Sequence, residues 1–301
     1  MPPDSREKTQ MDLADYAARE GLIKVGGRPP LGEYVSEVWR RRAFIYSMAR
    51  YKIESENQQN SLGMLWVVLK PLLNAMVYGL IFGLLLGSSS RPPHFLEYLI
   101  IGVFTFEFFA QSWTGGGKAI TNNSALVQSL AFPRMVLPLA VVTQRFLQFA
   151  PTILIMLVFL LLSGNPPELQ WFLIIPFFAM YFMFNAGLAL VTARLCVHWR
   201  DLNNLLPVLT RFVFYTTGIF FSVERRFGPT KNHPGYPIII HISDYQPIHE
   251  FLSLVRAALL QGPDYVIDLR YIAFAFAWSA GMLLFGIWFF WRAEERYGRV
   301  D

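Results

Sequence analysis

The sequence predicts an all-α polytopic membrane protein: six transmembrane helices, an N-terminal amphipathic interface helix, and a re-entrant outer helical hairpin between spans five and six. Three observations carry this. Six separate apolar stretches each approach the roughly 20 residues that cross a bilayer. Lys and Arg gather at the ends of these stretches, and the loop between the third and fourth holds Glu168 as its only charge. The composition agrees, with 54% hydrophobic and 16% charged residues and a mean hydropathy of +0.36.

Residues 1–30 are polar and mixed in charge, which predicts a mostly disordered cytosolic extension without an export signal. Over 31–54, Val35, Val38, Trp39, Ile45, Tyr46, Ala49 and Ile53 share one face at 100° per residue, with Glu37, Arg40, Arg41 and Ser47 opposite. This is an amphipathic helix in the cytosolic interface, either a simple anchor or a lever touching a cytosolic partner. Spans follow at 62–86, 97–113, 137–162, 171–197, 205–221 and 271–291, one domain over 62–291, and 292–301 form a cytosolic tail.

Charge sets the orientation. Arg40, Arg41, Arg42, Arg50 and Lys52 precede the first span, and Lys118, Arg134, Arg194, Arg200, Arg292, Arg296 and Arg299 fall on the same side. The short loops opposite offer only Arg91. Both termini are therefore expected in the cytosol. The long segment between spans five and six carries Arg225, Arg226, Lys231 and Arg256, but long loops translocate regardless of charge.

Several functions are excluded. The net charge of +5 is accounted for by topology, leaving no basic face for nucleic acid. Cys196 is the sole cysteine, and His94, His198, His233, His241 and His249 lack the i, i+4 spacing of a helical metal site. Gly115, Gly116, Gly117 and Lys118 do not make a Walker A loop, because Ser112 stands where Gly is required and Ala119 where Ser or Thr binds Mg²⁺. If ATP drives this protein, another chain binds it. Asp244, Glu250, Asp264 and Asp268 lie in the outer segment, either as solvated loop carboxylates or as an acid/base pair.

Charges inside spans are more informative, since an ionisable group at mid-membrane costs at least about 2.5 kcal/mol. Glu107 and Arg211 stand out, either as an internal ion pair or as pore-lining groups. Lys70 and Arg145 lie nearer an interface and are expected to snorkel to it. Phe104 and Phe108 in the second span, with Phe212 and Tyr215 in the fifth, face lipid and neighbouring helices or offer a slippery conduit for sugars. Gly79, Gly83 and Gly87 repeat a small-xxx-small spacing suited to close helix packing. The outer segment 222–270 is too apolar for a free loop; Pro247 starts and Gly262 ends a predicted helix with an apolar stripe. It reads as a hairpin dipping back into the outer leaflet, placed to close an exit.

Four motifs in order carry a resemblance: Leu62, Gly63, Trp66 and Pro71 opening the first span; Phe132, Pro133, Arg134, Leu137 and Pro138 opening the third; Trp199, Arg200 and Asp201 between spans four and five; and Gln246, Pro247, Ile248 and Glu250 starting the outer helix. With these the chain, from about residue 31 onward, resembles the permease subunit of type-2 ABC exporters, specifically those moving O-antigen-like polysaccharides. Gln246 departs from the Asn more usual there.

The resemblance implies a homodimer in a bacterial cytoplasmic membrane, with two copies of a cytosolic ABC ATPase that binds ATP and Mg²⁺; no cofactor is expected in this chain. It implies ATPase coupling through segments 119–130 and 198–204, with Lys118, Asn122, Asn123, Trp199, Arg200 and Asp201 as the contact residues. It also implies a gate at the interface helix and a channel for a lipid-linked glycan, with Arg40, Arg41 and Arg42 drawing in the pyrophosphate. A drug or lipid exporter would share this fold without needing polymeric sugar. A membrane glycosyltransferase or acyltransferase would need a catalytic acid or base that the sequence does not mark, and a scaffolding role would need none of these features.

Overall fold

The computed structural model describes residues 29–58, 61–85, 92–129, 132–229 and 235–294. Expectations for residues 1–28, Leu86, Gly87, Arg91, Leu130, Lys231, His233 and the tail from 295 onward, with Arg296 and Arg299, lie outside the described residues.

All regular structure among the described residues is helical. The interface segment is two helices, α1 (Leu31–Arg40) and α2 (Arg42–Gln58), rather than one over 31–54. Arg41 is the joint, and because Arg41 N–H donates to Glu37 O and Ile45 N–H to Arg41 O the helical register carries across it. Tyr34, Val38, Ala49 and Ile53, which share about 100° of one face, are the buried positions, whereas Trp39 and Tyr46, at the edge of the predicted apolar face, are exposed.

A 3₁₀ turn, Gly63–Leu65, leads into α3 (Trp66–Leu85). The central helix α4 (Phe95–Gly117) packs on five of the other helices. A turn at Thr121–Asn123 and the short α5 (Ser124–Ser129) connect it to α6 (Val136–Leu162). Next come α7 (Ile174–His198), α8 (Leu202–Thr216), α9 (Val223–Phe227), α10 (Pro237–Asp244), α11 (Pro247–Leu259) and α12 (Leu269–Trp291). Among the described residues, five helical stretches are long and apolar enough to cross a membrane: Gly63–Ile81, Phe95–Gly117, Val136–Leu162, Leu169–His198 and Leu269–Trp291.

The expected fifth span, 205–221, differs. α8 stops at Thr216 because the chain turns through Gly218, whose φ of +74° favours glycine. Its 15 residues rise about 22 Å, short of a hydrocarbon core.

Two contacts fix how the remaining helices run. Gly187 of α7 lies against Met282 and Gly286 of α12, and the Arg194 guanidinium sits 3.9 Å over the Phe289 ring. Residue numbers rise together along the pair, so α7 and α12 are parallel, and residues 199–268 must travel back along their length. At one end of the bundle Trp291 Nε1 donates to Pro29 O at 2.9 Å, bringing the two described ends of the chain together.

The main apolar core lies around α4, α6, α7 and α11, where Phe108 stacks on Phe149 at 5.3 Å between centroids and meets Tyr181 edge-on. α11 is almost wholly buried and is held by backbone carbonyls. Its Arg256 donates to Tyr98 O at 3.2 Å and Gly218 O at 3.1 Å while lying 3.4 Å over the Tyr98 ring. Tyr98 OH donates to Gly218 O at 2.8 Å, so α4, α11 and the turn after α8 form one unit.

A second core gathers Tyr34, Val38, Ile120, Val127, Met135, Leu137, Leu190 and Phe290 at the end where the chain's ends meet. Tyr34 OH donates to Glu294 Oε2 at 2.7 Å and accepts from Met135 N at 3.2 Å. Arg134 gives its backbone N–H to Glu294 Oε1 at 3.0 Å and its guanidinium to Glu294 O at 3.1 Å. This buried knot docks α1 between the start of α6 and the end of α12.

Candidate functional site

Three helices direct polar stripes to one place. α3 contributes Trp66 and Lys70 at i, i+4; α4 contributes Glu107, Gln111 and Thr114; α6 contributes Arg145, Gln148 and Thr152. With Glu56 from the end of α2 they line a chamber of about 420 Å³, whose apolar walls are Phe104, Phe108 and Phe149. Glu107 is ten residues before the end of α4 and Arg145 nine after the start of α6, about 15 and 14 Å along neighbouring helices, so they meet at one depth.

Arg145 does not snorkel free. Its two terminal nitrogens donate to the two Glu56 oxygens at 3.2 and 3.1 Å, and Nη1 also donates to Gln148 Oε1 at 2.8 Å. Burial alone would raise the Glu56 carboxyl. The Arg145 charge and hydrogen bonds from Gln144, Gln148 and Arg145 outweigh burial and hold it below its usual range. Glu107 accepts from Gln111 Nε2 at 2.6 Å. Lys70 has no hydrogen-bond or ion-pair partner among the described residues.

Directly beyond Phe104, which borders both spaces, an apolar groove of about 610 Å³ runs between α3, α4 and α6, lined by Leu72, Met76, Leu80, Leu99, Ile155 and Phe159. A polar chamber and an apolar groove end to end suit an amphiphile, with a charged or hydroxyl-rich part in one and a hydrocarbon chain in the other.

The other sequence-predicted residues are dispersed. Phe104, Phe108 and Glu107 line the chamber, but Arg211, Phe212 and Tyr215 are exposed on α8, and no ion pair joins Arg211 to Glu107 among the described residues. None of Arg40, Arg41 and Arg42 reaches the chamber: Arg41 pairs with Glu37 at 2.9 Å, and Arg42 lies 5.6 Å over Trp39. Lys118 caps α4 and Asn123 donates to Ala119 O at 2.6 Å, while Trp199, Arg200 and Asp201 are exposed at the end of α7. The sequence reading missed Glu56, Lys70 and Arg145 as members of one site. The matching depths of Glu107 and Arg145 were the available signal.

The outer carboxylates divide. Asp244 accepts from Tyr271 OH at 2.9 Å, Asp264 pairs with Arg225 at 2.6 Å, and Asp268 accepts from Arg270 N at 2.8 Å. Glu250 is different: it is fully buried and neither oxygen has a hydrogen-bond partner. Burial, with the Asp244 charge, pushes its carboxyl up to about 7. A raised folded-state value means its contribution to stability is complete below the ordinary range near 4.5 and is lost as pH rises through about 7. The protein is expected to melt lower at pH 8 than at pH 5.5, with Glu250→Gln removing at most about 2 kcal/mol of that dependence. Thermal melts across this range in nanodiscs test it; an unchanged slope in the variant would place the titration elsewhere.

Residues 45–229, well over half the chain, match the family model of the ABC-2 type transporter. The chain belongs to the ABC-2 type transporter family. With its five apolar helices, this makes it a multi-pass membrane transporter permease. It is similar to an O-antigen export system permease protein RfbA of Klebsiella pneumoniae, 28% identical over 244 residues, which cover 81% of this chain and 89% of that protein. A second RfbA of Klebsiella pneumoniae is 27% identical over 239 residues, 79% of this chain and 87% of that one. One of Myxococcus xanthus is 26% identical over 190 residues, 63% of this chain and 72% of the relative. The family match spans α2 through α9 and so takes in all four walls of the chamber.

Proposed function

We propose that this chain is the membrane-spanning subunit of an ATP-driven exporter that moves a lipid-linked polysaccharide, of O-antigen, teichoic acid or cell-wall galactan type, across the bacterial cytoplasmic membrane. The observation that carries the reading is the similarity over most of their length to relatives named O-antigen export permeases. The site supports it, because aromatic faces with Gln111, Gln148 and Glu107 match the apolar faces and hydroxyls of sugars, and the groove matches a lipid tail.

The chain works as a homodimer with two copies of a separate ATPase that binds ATP and Mg²⁺, and holds no cofactor itself. Exposed apolar side chains on α3 (Leu72, Met76, Leu80) and α8 (Val208, Phe212, Tyr215) are available to lipid and to a second copy. Six crossings are favoured, with both termini cytosolic: the parallel α7 and α12 require a return path, which α8 supplies together with a re-entrant α10–α11 hairpin. The ATPase docks at segments 119–130 and 198–204. Trp199 is 70% exposed there, next to Arg200 and Asp201.

Copurification from membranes with an ATPase, followed by ATP turnover in nanodiscs with and without polyprenyl-pyrophosphate-linked glycan, tests the reading. A stable complex stimulated by the glycan is expected; absence of any ATPase partner overturns it. Trp199→Ala is expected to weaken ATPase binding about tenfold or more, as large aromatic contacts at interfaces do, without changing the thermal melt of the permease.

A further inference from the structure

We propose that the Lys70 and Arg145 side of the chamber binds a phosphate or pyrophosphate group, and that its arrival opens the Glu56–Arg145 clasp holding the end of α2 on the bundle. The proposal rests on the export reading above and adds how cargo is sensed.

The geometry makes Glu56 a stand-in for such a group. Its two oxygens occupy the two terminal nitrogens of Arg145, the planar fork that takes a carboxylate or a phosphate in the same way. Arg145 is mostly enclosed, whereas the Glu56 side chain is 44% exposed, so Glu56 is the partner that can return to water. With the clasp closed, Lys70 and Arg145 face Glu56 and Glu107, and Lys70 has no hydrogen-bond or ion-pair partner among the described residues. An incoming phosphate carries more charge than Glu56 and lies within the same lining as Lys70, so it recruits a cation that Glu56 leaves unused. Glu107 is not freed by the exchange, because its carboxylate is already held by Gln111. The apolar groove beyond Phe104 gives a hydrocarbon chain on the same ligand a place to lie.

Once Glu56 is displaced, the last turns of α2 lose their charged anchor to α6, while Ile53 and Ala49 remain packed on the bundle. The far end of the interface segment stays docked through Tyr34 and Glu294. The expected motion is therefore a swing of α2 about the Arg41 joint.

Hydrogen exchange of residues 42–58, with ligand affinity, tests this on the full chain in nanodiscs without any ATPase. The probes are farnesyl pyrophosphate, inorganic pyrophosphate and farnesol. Farnesyl pyrophosphate is expected to speed exchange in the last turns of α2 about tenfold, and farnesol to leave it unchanged. Lys70→Gln should weaken farnesyl pyrophosphate about tenfold while leaving ligand-free exchange as it was. Glu56→Gln should exchange fast before any ligand is added and bind the pyrophosphate more tightly. A stronger response to farnesyl pyrophosphate than to inorganic pyrophosphate supports a lipid headgroup at the site; equal responses support a free anion there. Binding with no change in α2, or no binding of either pyrophosphate, overturns the proposal. Since no ATPase is present, such a failure would stand apart from any failure of glycan-stimulated turnover.

Discussion

Gly187→Leu is expected to destabilise the permease by about 3 kcal/mol, the upper end for overpacking, and to remove most monodisperse protein from detergent extracts. A Cβ on Gly187 would run into the backbone of Met282 and Leu283, and one on Gly286 into the backbone of Gly187. Backbone cannot rotate away as the end of a side chain can. Small residues let two helices approach this closely in a membrane, where contact and not water release drives association. The pair matters because α7 and α12 are separated by the whole segment 199–268, so loosening them loosens the return path as well. Gly281→Leu, also on α12, is the control, since a Cβ there meets nothing within 4 Å. It should change stability by less than about 0.5 kcal/mol. Thermal melts of both variants decide the matter, and equal losses would mean that the close approach is not what counts.

This glycine pair also marks where the sequence could be read and where it could not. The apolar runs located α4, α6, α7 and α12 to within a few residues, because a span has to be apolar throughout and its ends show as charge. Pro247 and the stripe of Ile248, Phe251, Leu252 and Val255 located α11 for a similar reason. Packing partners were another matter. Gly79, Gly83 and Gly87 had the visible small-residue spacing, of which Gly83 and Gly87 have no described packing, whereas close helix contacts are made by Gly187 with Gly286, nearly a hundred positions apart, and by Gly116 with Ala189. α8 ended early because one glycine turned the chain inside the stretch that reads as the fifth span. The chamber was half visible: Glu107 and the aromatic walls of α4 were marked, while Arg145 was placed near the interface by the apolar run that follows it, and its partner Glu56 sits on a different, amphipathic helix. Sequence periodicity reports which face of a helix is polar. It does not report which neighbour that face meets.

The same limitation hid the knot at Glu294, and its loss is the second large effect expected. Arg134→Leu leaves Glu294 buried without its cation, and the docking of α1 should weaken by about 3 kcal/mol, the lower end for breaking a buried pair, because the Arg134 side chain is one-fifth exposed. Tyr34→Phe should cost about 1–2 kcal/mol, since it removes one hydrogen bond to Glu294 and leaves Met135 N–H without its acceptor. Burial raises the Glu294 carboxyl above its ordinary range, and the hydrogen bonds from Arg134 and Tyr34 and the Arg134 charge oppose that shift only in part. A raised folded-state value makes docking firmest below the ordinary carboxylate range, weakening as pH rises through the folded value. Arg134→Leu takes away part of the opposition, so it should raise the value further and extend the loss to higher pH. Glu294→Gln should flatten the dependence, and combined with Arg134→Leu it should recover part of the stability, because no buried charge is then left unpaired. Trypsin cleavage at Arg40, Arg41 and Arg42 reads the docking directly. If wild type and Glu294→Gln are cut with the same pH dependence, the knot is held by packing of Tyr34 and Phe290 and not by the carboxylate.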